Sequence, residues 1–359
     1  MHVIDKILIK HLSFDELKAN LVSRGLKAYR AGQIISWIYQ RYAVSFDEMT
    51  NISKIDRDQL AAVFSISTLT LLQAELSSDG TRKFLFKLED GHTVESVLIP
   101  DDDRMTLCIS SQVGCQQACR FCLTGQGGFS RNLLFYEIAD QVLEASRILK
   151  DEGTRRISNI VLMGMGEPLA NFDEVIKAIR LITSDRALGF SGRRLTLSTS
   201  GLVPEMDSLG RAGAQVNLAV SLNATTDATR DLIMPVNKRY PLKELLAACR
   251  RFPLDPRRRI TFEFVLLKGI NDSEDDALRL TRLLRGIKCK INLIPFNPFP
   301  GSGLQRPGDP SVKRFQKILQ DHHYTALVRE SRGRDISAAC GQLRERAATE
   351  DGAADNSRT

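Results

Sequence analysis

Apolar residues in the first part of the chain recur every three or four positions. Between residues 14 and 62, sets such as Ile34, Ile35, Trp37, Ile38 and Tyr39 alternate with charged faces, the spacing of helices that bury one side. A small helical domain over residues 1–62 is predicted. From about Leu69 the period shortens, and residues 83–87 and 93–99 read as short strands separated by turn residues, so a strand annex is expected over 63–100. Beyond it, strand-like runs at 106–109, 159–163, 194–198, 216–222, 260–267, 290–294 and 325–329 alternate with helical ones. Seven such units predict an α/β fold with a parallel sheet, because parallel neighbours need crossover helices rather than hairpins. An open or closed (β/α) barrel over 101–345 suits that count, and its ligands should gather at the strand C-termini. Residues 346–359 are small, polar and charged, which predicts a disordered tail.

Composition adds limits rather than an identity. The 359 residues are 43% hydrophobic and 26% charged, as in ordinary globular proteins, and no run of about 18 apolar residues occurs. A membrane or export role is therefore not expected. The net charge of +7 permits a polyanionic partner such as RNA. Residues 1–45 hold seven Lys/Arg against three Asp/Glu; the stretch 27–30 suits either phosphate contact or a solvated helix face. The Arg-rich run from Arg250 to Arg259 has the same two readings. Seven cysteines, an odd number, argue against a disulfide framework and for a reducing cytoplasm.

Three of those cysteines, Cys115, Cys119 and Cys122, form a C-x3-C-x2-C loop. A structural zinc site closes with four protein ligands, and a simple electron-transfer iron–sulfur cluster also takes four thiolates. Three thiolates suggest a cluster with one iron left open for chemistry. The competing reading is a zinc loop with Cys108 as fourth ligand, although Cys108 lies inside a strand run. Gly164-Met165-Gly166-Glu167 is no dinucleotide fingerprint, since Leu169 stands where the third glycine belongs.

With Phe121 before the last cysteine, the loop resembles the signature of radical S-adenosylmethionine enzymes. The resemblance extends over about residues 10–345 to the RlmN/Cfr family of RNA adenine methyltransferases. It is carried by Gly127-Gly128-Phe129-Ser130-Arg131-Asn132-Leu133, residues 163–169, Ser198-Thr199-Ser200-Gly201, Ser221-Leu222-Asn223-Ala224, Met234-Pro235-Val236-Asn237, residues 291–298 and Ala338-Ala339-Cys340-Gly341-Gln342-Leu343. It implies a radical-SAM partial (β/α)6-type TIM barrel with the helical domain serving RNA binding. It also implies a [4Fe-4S] cluster on Cys115, Cys119 and Cys122, with S-adenosylmethionine contacted by Gly166, Glu167, Ser198, Ser221, Leu222, Asn223 and Asn297.

The same resemblance implies methylation at C2 of an adenine in 23S rRNA (adenine 2503) and in tRNA (adenine 37), with two S-adenosylmethionine molecules per turnover. Adenine C2 lies between two ring nitrogens and is too electron-poor to attack a sulfonium methyl, so a radical route is required. By resemblance, Cys340 first accepts a methyl, then its carbon is joined to the base. Glu95 takes the ring proton, and Cys108 resolves the protein–RNA adduct by forming a disulfide with Cys340. Arg332 and Arg334 stand near enough in sequence to favour a Cys340 thiolate. Cys249 and Cys289 read as core residues, and His322 and His323 as surface residues. Methylation at C8 is the close rival, and a basic RNA-binding protein with a zinc loop the rival of another class. An electron-donating reductase, a monomeric state and a cytoplasmic location complete the expectation.

Overall fold

A computed structural model describes residues 6–66 and 69–345; the tail expected at 346–359 lies outside the described residues. The helical part contains strand β1 (Ile7–Leu8), helices α1 (Phe14–Ser23), α2 (Arg30–Gln40) and α3 (Lys54–Val63), and strand β2 (Phe64–Ser65), which pairs in parallel with β1. Ser13 begins α1 with a reciprocal capping box to Glu16, which satisfies two otherwise orphaned N–H groups. The core of this unit, including Leu17, Leu21, Ile34 and Ile38, continues into Leu143 and Ala187 of the barrel. Lys10 and Asp140 form a fully buried ion pair across the same junction, at 2.7 Å.

The annex consists of β3 (Thr70–Leu76), β4 (Arg82–Lys87) and β5 (Thr93–Asp101), an antiparallel meander. It is followed by β6 (Arg104–Cys108), β7 (Gln112–Gly114), the short helix α4 (Leu123–Gln126), β8 (Phe129–Asn132), α5 (Phe135–Asp151) and β9 (Asn159–Leu162). Helix α6 (Phe172–Thr183), β10 (Leu195–Thr199), α7 (Val203–Arg211), β11 (Asn217–Ser221), α8 (Asp227–Ile233) and α9 (Leu242–Arg251) come next. The described chain closes with β12 (Ile260–Leu266), α10 (Glu274–Leu283), β13 (Cys289–Pro295), α11 (Asp309–Asp321) and β14 (Ala326–Val328).

The seven runs predicted from the alternating pattern are β6 and β9 through β14, joined in parallel in chain order. The annex does not form a sheet of its own. Strand β5 pairs antiparallel with β6, so annex and barrel make one ten-stranded sheet with β3 and β14 at its two edges. The barrel is therefore open, and a segment after β14, residues 333–345, is hydrogen-bonded to the annex at Ser77 and Asp79 and to the start of α4.

Strand β12 is buried along its whole length, as expected for a parallel strand covered on both faces. No helix among the described residues is long and apolar enough to cross a membrane.

Candidate active site

The C-terminal ends of the barrel strands surround a cavity of about 230 Å³. Cys115, Cys119 and Cys122 line one side of it; Gly166, Glu167, Ser198, Ser221 and Asn297 line the strand ends; Cys108 and Cys340 open onto the same space.

The cysteine loop hangs between β7 and α4. Gly114 has φ +76°, and a Cβ there would lie 2.2 Å from the Gly128 carbonyl oxygen, so only glycine lets the loop enter beside β8. The Cys115 N–H donates to that same Gly128 oxygen at 2.6 Å. Burial pushes the Cys115 thiol up to about 12, and Cys119 is raised as well, first by burial and then by the neighbouring Cys122 and Cys115. A metal that takes these groups as thiolates must displace their protons.

One cation helps to carry such charge. Arg230 on α8 is fully buried and donates to the carbonyls of Ser200 (2.6 Å), Leu222 (3.0 Å) and Ser221 (3.2 Å). It thereby ties the ends of β10 and β11 together. Burial lowers its pKa to about 10, which still leaves it charged at neutral pH, and its charge acts on Cys119.

The Gly164–Glu167 turn is shaped by the strand beside it. Gly166 has φ +97°, and a Cβ would meet Gln112 Cβ at 2.6 Å. Gln112 in turn accepts the Glu167 N–H through its side chain at 2.8 Å. Burial raises the Glu167 carboxyl, while the Ser200 N–H, at 2.6 Å, opposes that rise by donating to it. Asn297 Oδ1 and Ser331 Oγ line the cavity and are buried with no hydrogen-bond partner among the described residues. A polar ligand would satisfy them.

The predicted site residues are not all on the cavity wall. Leu222 and Asn223 lie behind it: the Asn223 side chain accepts the Val265 N–H at 2.8 Å, and its carbonyl accepts from Asn271 at 2.7 Å, a lock between β11 and β12. Glu95 is buried on β5 beneath the 333–345 segment. It accepts the Arg344 N–H at 3.0 Å and pairs with buried Lys83 at 3.3 Å. Lys83 also donates to the Ile336 carbonyl at 2.6 Å.

Cys340 presents its surface to the cavity, held by Asn297, whose Nδ2 donates to the Cys340 carbonyl at 3.2 Å. The residue as a whole is exposed; desolvation at its sulfur, then Cys122 and Glu263, push the thiol up to about 12, and Arg329 supplies the opposing positive charge. Cys108, at the end of β6, is likewise raised to about 12, by burial and then by Cys340. Glu263 was not anticipated. It lines the cavity from β12, with Asn292 donating to it at 2.9 Å, and its only sequence signal is a carboxylate inside an apolar strand.

Among the described residues, no three His, Cys, Asp or Glu side chains converge closely enough to hold a single metal ion. The donor set, the buried Arg230 and the unpartnered polar atoms thus fit a three-cysteine cluster with a polar ligand beside it.

Comparison with known proteins agrees. A family model for the Radical SAM superfamily matches residues 109–281, and one for the ribosomal RNA large subunit methyltransferase N-terminal domain matches 9–66. A dual-specificity RNA methyltransferase RlmN of Geobacter sulfurreducens is 56% identical over 94% of this chain and 91% of its own length. That of Syntrophus aciditrophicus is 51% identical over 98% and 99%. The crystal structure of a radical SAM methyltransferase from Sphaerobacter thermophilus superposes with a TM-score of 0.90 at 45% identity, covering 94% of this chain and 99% of that one.

Proposed function

The chain belongs to the RlmN family of radical S-adenosylmethionine RNA methyltransferases, and from that premise we propose that it methylates C2 of an adenine in 23S rRNA, adenine 2503 by resemblance, and of adenine 37 in tRNA. The observation that carries this reading is the presence of two further thiols, Cys340 and Cys108, on the cavity of Cys115, Cys119 and Cys122. A radical enzyme for a small molecule needs the three; a methyl carrier and its release need the other two.

The family implies a [4Fe-4S] cluster, held by Cys115, Cys119 and Cys122, and S-adenosylmethionine, which together supply a deoxyadenosyl radical when bound. In this reading Gly166, Glu167, Ser198, Ser221, Leu222, Asn223 and Asn297 hold S-adenosylmethionine, a role supported by the place of Gly166, Glu167, Ser198, Ser221 and Asn297 on the cavity wall. Cys340 loses its thiol proton and takes a methyl from one such molecule by displacement. A hydrogen atom is then removed from that methyl, and the resulting methylene radical bonds to the adenine, tying Cys340 to the RNA as a radical adduct that returns one electron to the electron-donating system as its ring proton leaves.

Glu95 is assigned the ring proton. In this conformation the Arg344 N–H donates to the Glu95 carboxylate at 3.0 Å, a hydrogen bond that has to open before Glu95 meets the base. The Cys108 thiolate then attacks the Cys340 sulfur, forming the S–S bond as the sulfur–carbon bond breaks and leaves its electron pair with the base as an enamine. An external reductase restores the dithiol and supplies the electron for each radical; two S-adenosylmethionine molecules are consumed per turnover. Residues 1–62 serve as the RNA-gripping domain and 101–345 as the catalytic one, in a cytoplasmic monomer.

Cysteine variants test the assignment. Cys340→Ala should accept no methyl and form no adduct with RNA, whereas Cys108→Ala should accumulate protein covalently joined to RNA on a denaturing gel. Normal turnover by Cys108→Ala would remove its resolving role, and methylation by Cys340→Ala would remove the carrier.

A further inference from the structure

The loops that enter the barrel strands, at the end opposite the cavity, carry a charge the active site does not use. Parallel strands all begin at one end, so segments 191–194, 211–216, 250–259 and 284–289, which lead into β10, β11, β12 and β13, lie side by side. These 26 residues contain ten Lys/Arg and one acid, Asp255, although the chain as a whole is close to parity at 50 against 43. Arg251 pairs with Asp207 and Arg258 with Asp255. Arg193, Arg194, Arg257 and Arg259 are exposed and form no ion pair among the described residues.

A structural role explains part of this set. Arg211, Arg250 and Arg251 stand in the last turns of α7 and α9, where the helix dipole favours a cation. The four arginines without an ion pair have no long helix to cap; Arg194 reaches the Ser158 carbonyl and Arg259 the Thr325 hydroxyl, both at a long 3.4 Å. With neighbouring strands about 4.8 Å apart, the four entries span a band of about 15 Å, wide enough to follow several phosphates. No large exposed hydrophobic residue lies in these segments, whereas protein partners are anchored by buried aromatic or aliphatic side chains. Dispersed charge without an apolar anchor suits a phosphate backbone.

We propose that this face is a second RNA-contact surface, gripping the backbone of the substrate RNA at a place remote from the modified adenine. The proposal rests on the chain's being an RNA methyltransferase and adds where a large substrate is held. Strand β12, at seven residues, sets the separation from the cavity at about 23 Å. A short stem-loop seated at the cavity does not reach that far round the barrel; a folded rRNA domain does.

The test uses the cluster-loaded full-length protein and a variant carrying Arg193→Gln, Arg194→Gln, Arg257→Gln and Arg259→Gln, with an unmodified melting profile as the control for folding. The probes are a transcribed, protein-free domain of 23S rRNA and a short stem-loop that contains the target adenine. The variant should bind the rRNA domain about tenfold more weakly at low salt, with a slope of log affinity against log salt shallower by about 3, while binding and methylation of the stem-loop stay unchanged. Unchanged affinity for the rRNA domain would overturn the proposal, and so would an equal loss on both RNAs. Because binding is read separately from methylation, a parent protein that methylates neither RNA overturns the proposed reaction, while the binding arms still decide this surface.

Discussion

Single residues divide according to how much of their role depends on neighbours. Cys115, Cys119 and Cys122 are legible because three thiolates from one loop require a fixed spacing whatever surrounds them. Glu95 is not: on an alternating strand a carboxylate is as readily a surface group, and its burial comes from residues 333–345, more than 230 positions later. Arg230 gave no signal, since an arginine on a short helix reads as solvated until the carbonyls it serves converge on it. Glu167 permits a sharp prediction. Glu167→Gln keeps the shape of the turn but removes the charge, and charge-assisted hydrogen bonds contribute roughly 1.5–3 kcal/mol. S-adenosylmethionine should therefore bind about 10- to 100-fold more weakly, as read by calorimetry on cluster-loaded protein; equal affinity would show that the carboxylate does not meet the ligand.

At the scale of elements, the parallel strands and the helical unit follow directly from periodicity, because each βα unit buries an apolar run that composition alone reveals. What periodicity does not show is the segment 333–345. Its hold on the annex is polar: Asp335 accepts from Ser77 Oγ at 2.6 Å and the Ser78 N–H at 3.0 Å, and Asp79 accepts the Gly333 N–H at 2.9 Å. Burial works to raise the Asp79 carboxyl, yet hydrogen bonds from Thr81, Gly333 and Ser77 bring it down to about 2. A carboxyl held below its unfolded value stabilises above about pH 4, and that contribution is lost as the pH falls through 2. Asp79→Asn with Asp335→Asn should therefore mimic acid at neutral pH, giving several-fold faster amide exchange across 333–345 with iron content unchanged. Unaltered exchange would mean that other contacts hold the segment.

The junction between the helical unit and the barrel offers a second test at this scale. Burial raises the Asp140 carboxyl to about 6 against the pull of Lys10. Lys10→Met leaves that charge buried without its partner, a change that costs about 3–5 kcal/mol, whereas Lys10→Met with Asp140→Leu should be close to neutral. A raised acid binds protons more readily folded than unfolded, and removing Lys10 raises this one further, so the single variant should recover stability as the pH falls from that raised value toward the unfolded carboxyl range. Urea midpoints at pH 5 and pH 8 would check both statements, and a pH-independent loss would contradict them.

On the scale of the whole molecule, the architecture places a reaction and its substrate on opposite constraints. The strand C-termini supply the cavity with its cysteines; the strand N-termini carry the exposed arginines; the helical unit shares a core with the barrel and flanks it. Cys108 and Cys340 line the same cavity as Cys115, Cys119 and Cys122, as the proposed chemistry requires. Metal content tests the cluster against zinc: anaerobically prepared protein should be brown and hold iron, and colourless protein with one zinc per chain would contradict the three-iron reading of the loop.

The most direct measurement is nucleoside mass analysis of 23S rRNA and tRNA after anaerobic reaction with cluster-loaded protein, a reductant and S-adenosylmethionine labelled in its methyl group. Labelled 2-methyladenosine is expected with the parent protein and none with Cys340→Ala. Labelled 8-methyladenosine would overturn the C2 assignment, and 2-methyladenosine formed by Cys340→Ala would contradict the methyl-carrying role of Cys340.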